Sequence, residues 1–110
     1  MRIATWNVNG LRARIDYIRR WLEDRQPDVV GLQELKTPDE LFPHDYFKEL
    51  GYEALVHGQK NWNGVAILTK VPATLTGTGV ANQDAFGSRL ITANIDDKVS
   101  FTTVYCPNGK

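Results

Sequence analysis

One segment of the chain reads Asp28-Val29-Val30-Gly31-Leu32-Gln33-Glu34-Leu35-Lys36. Pro27 stands before this segment and cannot continue a helix, whereas the apolar run that follows is short and rich in β-branched residues. This pattern predicts a strand that is covered on both faces of a sheet and that stops at the carboxylate of Glu34. Ligands bind at strand ends in α/β sheets, so Glu34 is the leading candidate for a functional residue.

A second strand with a polar end precedes this segment. It lies in Ile3-Ala4-Thr5-Trp6-Asn7-Val8-Asn9-Gly10, and apolar residues at helical spacing follow it: Leu11, Ile15, Ile18 and Leu22. Gln26-Pro27 ends this helix. Two strands joined by a crossover helix are parallel and end at the same edge of the sheet, so Asn7 can approach Glu34. Two side chains that offer oxygen ligands at one edge favour a functional role for Glu34 over the simpler interpretation, in which Glu34 only pairs with Lys36.

The composition is that of an ordinary globular domain. The chain has 110 residues, and 13 basic residues balance 13 acidic residues, so the global charge indicates neither nucleic acid nor a membrane as a partner. The single cysteine, Cys106, excludes a disulfide within these residues, and no apolar run is long enough to span a bilayer. We therefore expect a cytoplasmic location. Several arginines crowd one segment and form either a polyanion-facing patch or a solvated helix face, namely Arg12, Arg14, Arg19, Arg20 and Arg25.

The rest of the chain alternates loops with short strands. We predict a loop at 37–43, a helix at 44–50 capped by Gly51, strands at 52–57 and 64–69, and a loop at 76–88. Two further strands, at 89–95 and 99–105, flank the turn Asp96-Asp97-Lys98 and form a hairpin. Trp62 lies in a polar connection, where it either folds over the edge of the core or stacks against bases or sugars.

Three blocks of the sequence form an ordered set. They are Ala4-Thr5-Trp6-Asn7-Val8-Asn9-Gly10-Leu11-Arg12-Ala13, then Pro27-Asp28-Val29-Val30 with Gln33-Glu34-Leu35-Lys36, then Val104-Tyr105-Cys106-Pro107-Asn108-Gly109. In this order they resemble the exonuclease III family of apurinic/apyrimidinic endonucleases, within the wider endonuclease/exonuclease/phosphatase (DNase I-like) fold. The resemblance implies an α/β fold. Residues 1–110 would form the N-terminal portion of one four-layer α/β sandwich domain, truncated after the Tyr-Cys-Pro-Asn-Gly block.

The resemblance also implies roles for individual residues. Glu34 resembles the family's magnesium-binding glutamate, Asn7 the asparagine that helps to hold the metal, and Tyr105 the active-site tyrosine near the scissile phosphate. DNA-facing or phosphate-facing positions of the family correspond to Arg12, Lys36, Trp62, Arg89 and Asn108. The implied cofactor is Mg²⁺, with Mn²⁺ as a substitute, and the implied substrate is double-stranded DNA with abasic sites or 3′ ends. From the residues alone, Tyr105 is equally well explained as a half-buried strand aromatic.

The sequence predicts an incomplete active site. The chain stops before the family's later blocks, which carry an Asp-x-Asn pair, a further aspartate and an Asp-His pair, and no residue present takes the role of general base. We also expect that the chain supplies mainly one sheet, whose apolar face is exposed and causes association or marginal stability. Two alternatives stay open: another phosphodiesterase of the same fold, or a non-catalytic chain that binds DNA or a protein partner.

Overall fold

The computed structural model describes residues 1–57, 64–78 and 90–104 of the chain. Within these ranges the strands are β1 (Ile3–Asn7), β2 (Val29–Gln33), β3 (Glu53–His57), β4 (Val65–Thr69), β5 (Ala73–Thr78), β6 (Leu90–Ile95) and β7 (Val99–Val104). The helices are α1 (Ile15–Arg25) and α2 (His44–Glu49), and short 3-10 turns cover Arg12–Arg14 and Asp39–Leu41. None of the helices in the described ranges is long and apolar enough to cross a membrane.

The predicted strand, helix and strand at the start of the chain are confirmed. β1 and β2 pair in parallel, with Asn7 opposite Gln33, and α1 connects them. The apolar stripe of α1 buries Ile18 and Leu22. The helix ends at Arg25 because Gln26 takes a left-handed conformation with φ 45° and Pro27 follows it.

β2 and β4 are the central strands of the first sheet, whose strand order is β1-β2-β4-β3. Every residue of both strands is buried, as expected for strands that are covered on both faces. Alternate residues face opposite sides of a strand, so Val30 and Leu32 pack on the helices with Leu22 and Phe47. The predicted cap at Gly51 is also present, with φ 92°.

A second sheet, with the strand order β5-β6-β7, covers the other face of the first sheet. Val29 and Ile67 of the first sheet form an apolar layer with Ile91 and Ile95 of the second. The expectation of mainly one sheet with an exposed apolar face is therefore wrong, since the apolar faces of the two sheets cover each other. Helices, first sheet and second sheet form three successive layers of the predicted sandwich.

The second sheet includes a strand whose last residues were predicted to lie in a loop. Residues 76–78 belong to β5, which pairs antiparallel with β6 and carries a bulge between Leu75 and Gly77. The prediction was wrong because the bulge interrupts the alternation of apolar and polar residues, and because the threonines obtain their partners from β6. The hairpin of β6 and β7 is confirmed, and Asp96 and Asp97 turn it with φ of 54° and 53°.

Candidate active site

The ends of β1 and β2 continue into two connections that stay hydrogen-bonded to each other. The amide of Val8 donates to the Gln33 carbonyl at 3.0 Å, and the amide of Gly10 donates to the Glu34 carbonyl at 2.8 Å. Leu11 then donates to the Leu35 carbonyl at 2.8 Å. The structure thus places Asn7 and Glu34 at the same edge of the first sheet, on neighbouring segments of backbone.

At this edge the backbone adopts a conformation that residues other than glycine rarely take. Asn9, Glu34 and Lys36 have φ values of 47°, 58° and 56°, in the left-handed region. Each such residue costs about 1–3 kcal/mol, and residues of this kind cluster at functional sites. Asparagine tolerates the conformation well, whereas glutamate and lysine do not, so the surrounding hydrogen bonds must hold Glu34 and Lys36 in place.

Polar side chains connect the two segments. Asn7 Oδ1 accepts a hydrogen bond from the Asn9 amide at 3.1 Å, and Lys36 Nζ donates to Asn9 Oδ1 at 2.8 Å. Lys36 Nζ also lies 3.5 Å from Glu34 Oε2, in an ion pair whose side chains are 39% and 16% exposed, respectively. Because the Glu34 carboxylate is largely withdrawn from water, its negative charge is screened less than that of a surface carboxylate.

The chemistry of these donors suits a hard divalent cation. Mg²⁺ takes oxygen ligands and is commonly bound by one or two protein carboxylates, while water and substrate phosphate complete its coordination. Glu34 and Asn7 offer a carboxylate and an amide oxygen at one edge. Among the residues that the structure describes, no group of three or more His, Cys, Asp or Glu side chains is arranged to hold a metal.

The structure locates some of the predicted DNA-facing residues. Arg12 opens the 3-10 turn after β1 and is exposed, and Lys36 follows β2 at the same edge. The other candidates lie outside the described residues: Trp62, Arg89, Tyr105 and Asn108. The roles of all these residues, including Arg12 and Lys36, stay predictions.

Gln33, the residue just before Glu34, is a further polar residue of this region that was not predicted from the sequence. Its side chain is 7% exposed, and Nε2 donates to Thr5 Oγ1 at 2.8 Å and to Thr103 Oγ1 at 2.5 Å, with the Gly31 carbonyl at 3.0 Å. The signal was present in the sequence, because an amide that ends a fully buried strand must find hydrogen-bond partners. Its partners lie on other strands, which the sequence did not identify.

The fold and this edge define a class of protein. Residues 4–107 match the model of the Endonuclease/Exonuclease/phosphatase family, and the chain belongs to that family. The relatives are more specific. The chain is 41% identical to exodeoxyribonuclease III of Haemophilus influenzae over 115 aligned residues, which cover 100% of this chain and 43% of the relative.

Solved structures of related proteins also match nearly the whole of this chain and less than half of their own length. A 3′ phosphatase from Neisseria, bound to a product DNA hairpin, matches with a TM-score of 0.92 and 37% identity, over 99% of this chain and 42% of that chain. An AP endonuclease from Archaeoglobus fulgidus matches with a TM-score of 0.87 and 33% identity, over 99% and 42% of the two chains. The chain thus spans less than half the length of these relatives.

Proposed function

We propose that residues 1–110 form the amino-terminal part of a single nuclease domain of the exonuclease III and AP endonuclease type. The complete domain would hydrolyse phosphodiester bonds of double-stranded DNA at abasic sites or 3′ ends, in base-excision repair in the cytoplasm. The observation that supports the proposal is that Asn7 and Glu34 lie on neighbouring backbone segments at one edge of the first sheet, in a chain of this family. The portion that the relatives have beyond this chain would supply the general base and further ligands.

The cofactor in this proposal is Mg²⁺, with Mn²⁺ as a substitute, held by Glu34 and Asn7. When bound, the ion would supply positive charge next to the phosphate and would help to activate the attacking water. Lys36 keeps the Glu34 carboxylate at the edge through the ion pair at 3.5 Å and braces Asn9 at 2.8 Å. Asn7 contributes an oxygen without adding a negative charge that would repel DNA.

The remaining proposed roles concern the phosphate and the DNA. The Tyr105 hydroxyl would donate a hydrogen bond to the oxygen on which charge develops, which favours the transition state. The side chains that would contact the DNA backbone or stack on it are Arg12, Lys36, Trp62, Arg89 and Asn108. Positive side chains fit this role because contacts to phosphate supply much of the affinity of DNA-binding proteins.

The test is nicking of a duplex with one abasic site by the complete protein that contains this chain, with Mg²⁺, with Mn²⁺ and with a chelator. Glu34→Gln keeps the shape of the side chain and removes its charge, so we expect loss of nicking and weaker Mn²⁺ binding by electron paramagnetic resonance. Glu53→Gln is the matched control, because Glu53 is an exposed glutamate of the same sheet. It aligns through β4 and β2 with Ile3, the first residue of β1, and therefore lies at the end of the sheet opposite to Asn7. Equal nicking by the two variants would contradict the proposal.

A second candidate function is binding of DNA without cutting by the 110-residue chain alone. The partial donor set of the described residues favours it. The test is a sensitive nicking assay and a DNA-binding assay on this chain, with Glu34→Ala as the control. We expect binding without nicking, and turnover that depends on Glu34 would show that the chain alone is catalytically complete.

A further inference from the structure

The Gln33 side chain is a buried polar group at the contact between the two sheets. Its Nε2 donates to a hydroxyl on β1, Thr5 Oγ1, and to a hydroxyl on β7, Thr103 Oγ1, at 2.8 Å and 2.5 Å. Thr103 is itself buried, at 3% exposure. An amide placed between two sheets in this way costs free energy unless its hydrogen bonds are made, so Gln33 and Thr103 depend on each other.

The neighbouring glycine makes this contact possible. Gly31 and Gln33 lie two residues apart on β2 and therefore face the same side, toward the second sheet. A Cβ on Gly31 would stand 2.6 Å from Thr103 Oγ1, so the bare glycine allows β7 to come close enough for the Thr103 hydroxyl to reach Gln33. The Gln33 side chain bonds a hydroxyl on each of the two strands, β1 and β7.

Three candidate site residues stand close in sequence to this hydrogen-bonded group. Thr5 precedes Asn7 by two residues on β1, Gln33 directly precedes Glu34, and Thr103 precedes Tyr105 by two residues. The Gln33 side chain thus joins the strand of Asn7, the strand of Glu34 and the strand that leads to Tyr105.

We propose that Gln33 is a positioning residue of the nuclease: through Thr5 and Thr103 it fixes the spacing between the sheet edge that carries Asn7 and Glu34 and the strand that leads to Tyr105. This inference rests on the proposed function. Gln33 does not touch the reacting atoms in this proposal. It acts by keeping the edge of the first sheet at a fixed spacing from β7 of the second sheet, which matters because displacement of a catalytic group by about 1 Å can cost about a hundredfold in rate.

A purely stabilising role makes a different prediction. If the bonds of Gln33 only held the sheets together, their loss would lower the free energy of unfolding and leave kcat of the folded protein unchanged. A positioning role lowers kcat at a temperature where all variants are folded, and leaves KM nearly unchanged, because DNA binding depends on other side chains.

The experiment compares kcat and KM for abasic-site nicking by the complete protein and its variants, each shown by circular dichroism to be folded at the assay temperature. Thr103→Val is nearly isosteric and removes the hydroxyl, whereas Thr103→Ser retains it. Gln33→Leu removes the amide. The matched control is Thr102→Val, since Thr102 lies on the same strand but pairs with Thr92 at 2.8 Å, and both hydroxyls are exposed.

We expect Thr103→Val and Gln33→Leu to lower kcat by about 10- to 100-fold, with KM changed by less than about threefold. Thr103→Ser and Thr102→Val should keep kcat. Unchanged kcat in Thr103→Val and Gln33→Leu, in an active parent protein, overturns the inference and leaves the proposed function intact. An inactive but folded parent refutes the proposed function and the inference with it, so the two failures are distinguishable.

Discussion

Gly31→Ala tests how closely the two sheets approach each other. Gly31 does not occupy the left-handed region, so the cost of a side chain there comes from space and not from backbone strain. The added Cβ would lie 2.6 Å from Thr103 Oγ1, 2.7 Å from Thr103 Cβ and 3.2 Å from Phe101 Cε2. Ordinary contact begins at 3.4 Å, so β7 has to move by about 0.8 Å or the core has to distort.

The magnitude follows from two costs. Overpacking of a core costs about 1–3 kcal/mol, and stretching the bond between Gln33 and Thr103 adds about 0.5–1.5 kcal/mol. Loss of chain entropy in the unfolded state returns about 0.4–1 kcal/mol for any Gly→Ala change. We therefore expect Gly31→Ala to lower the free energy of unfolding by roughly 2 kcal/mol, within a range of about 0.5–4 kcal/mol.

The assay is urea unfolding of the 110-residue chain, followed by circular dichroism. Gly77→Ala is the matched control, because Gly77 also lies in a strand and a Cβ there would meet nothing within 4 Å among the described residues. We expect Gly77→Ala to be neutral or slightly stabilising. If Gly31→Ala is as stable as Gly77→Ala, the close contact between Gly31 and Thr103 is refuted.

Three further predictions concern the core and the charged edge. Burial, and secondarily the charge of Asp28, raises the pKa of Tyr52 to about 12 from 10.0. Its neutral hydroxyl donates to the Pro27 carbonyl at 2.7 Å, so its stabilising contribution is full below about pH 10 and is lost as the pH rises through about 12. Tyr52→Phe should cost about 1 kcal/mol at neutral pH and remove this alkaline loss, which urea unfolding at several pH values measures. Phe47→Ala should cost about 3–5 kcal/mol in the same assay because Phe47 is fully buried, whereas Tyr17→Ala, at 68% exposure, should stay within about 0.5 kcal/mol. Arg12→Ala should change how binding of duplex DNA depends on salt: the slope of the logarithm of the association constant against the logarithm of the salt concentration should fall in magnitude by about 0.9. An unchanged slope would exclude a contact between Arg12 and a phosphate. Lys98→Ala is its charge-matched control, because Lys98 is exposed in the turn between β6 and β7 and is not one of the clustered arginines.

Periodicity made the first half of the fold predictable. The helical spacing of Ile18 and Leu22 and the break at Pro27 depend on neighbours in the sequence, and the strand, helix and strand they indicate are present. The parallel pairing of β1 and β2 follows from the crossover, and it explains why Asn7 and Glu34 reach the same edge.

Contacts between residues far apart in the sequence were not predictable in this way. β5 is a strand because β6 supplies its partners, and the second sheet lies against the first because Gly31 admits Thr103, which follows it by many residues. Gln33 was overlooked for the same reason, since the glutamine was visible in the buried strand but its partner on β7 was not. Glu34 could be predicted as a functional candidate from its place at a strand end. Its left-handed backbone conformation and the geometry of its ion pair with Lys36 are visible only in the structure.

The strand order of the first sheet also has a consequence for synthesis on the ribosome. β3 emerges before β4, yet β2 pairs with β4, which lies between β2 and β3. Until residues 65–69 have left the exit tunnel, the apolar β2 has an open backbone edge, and such edges attract foreign strands. We therefore expect chaperones to hold nascent chains from which β2 but not yet β4 has left the exit tunnel, and release to follow the emergence of β4.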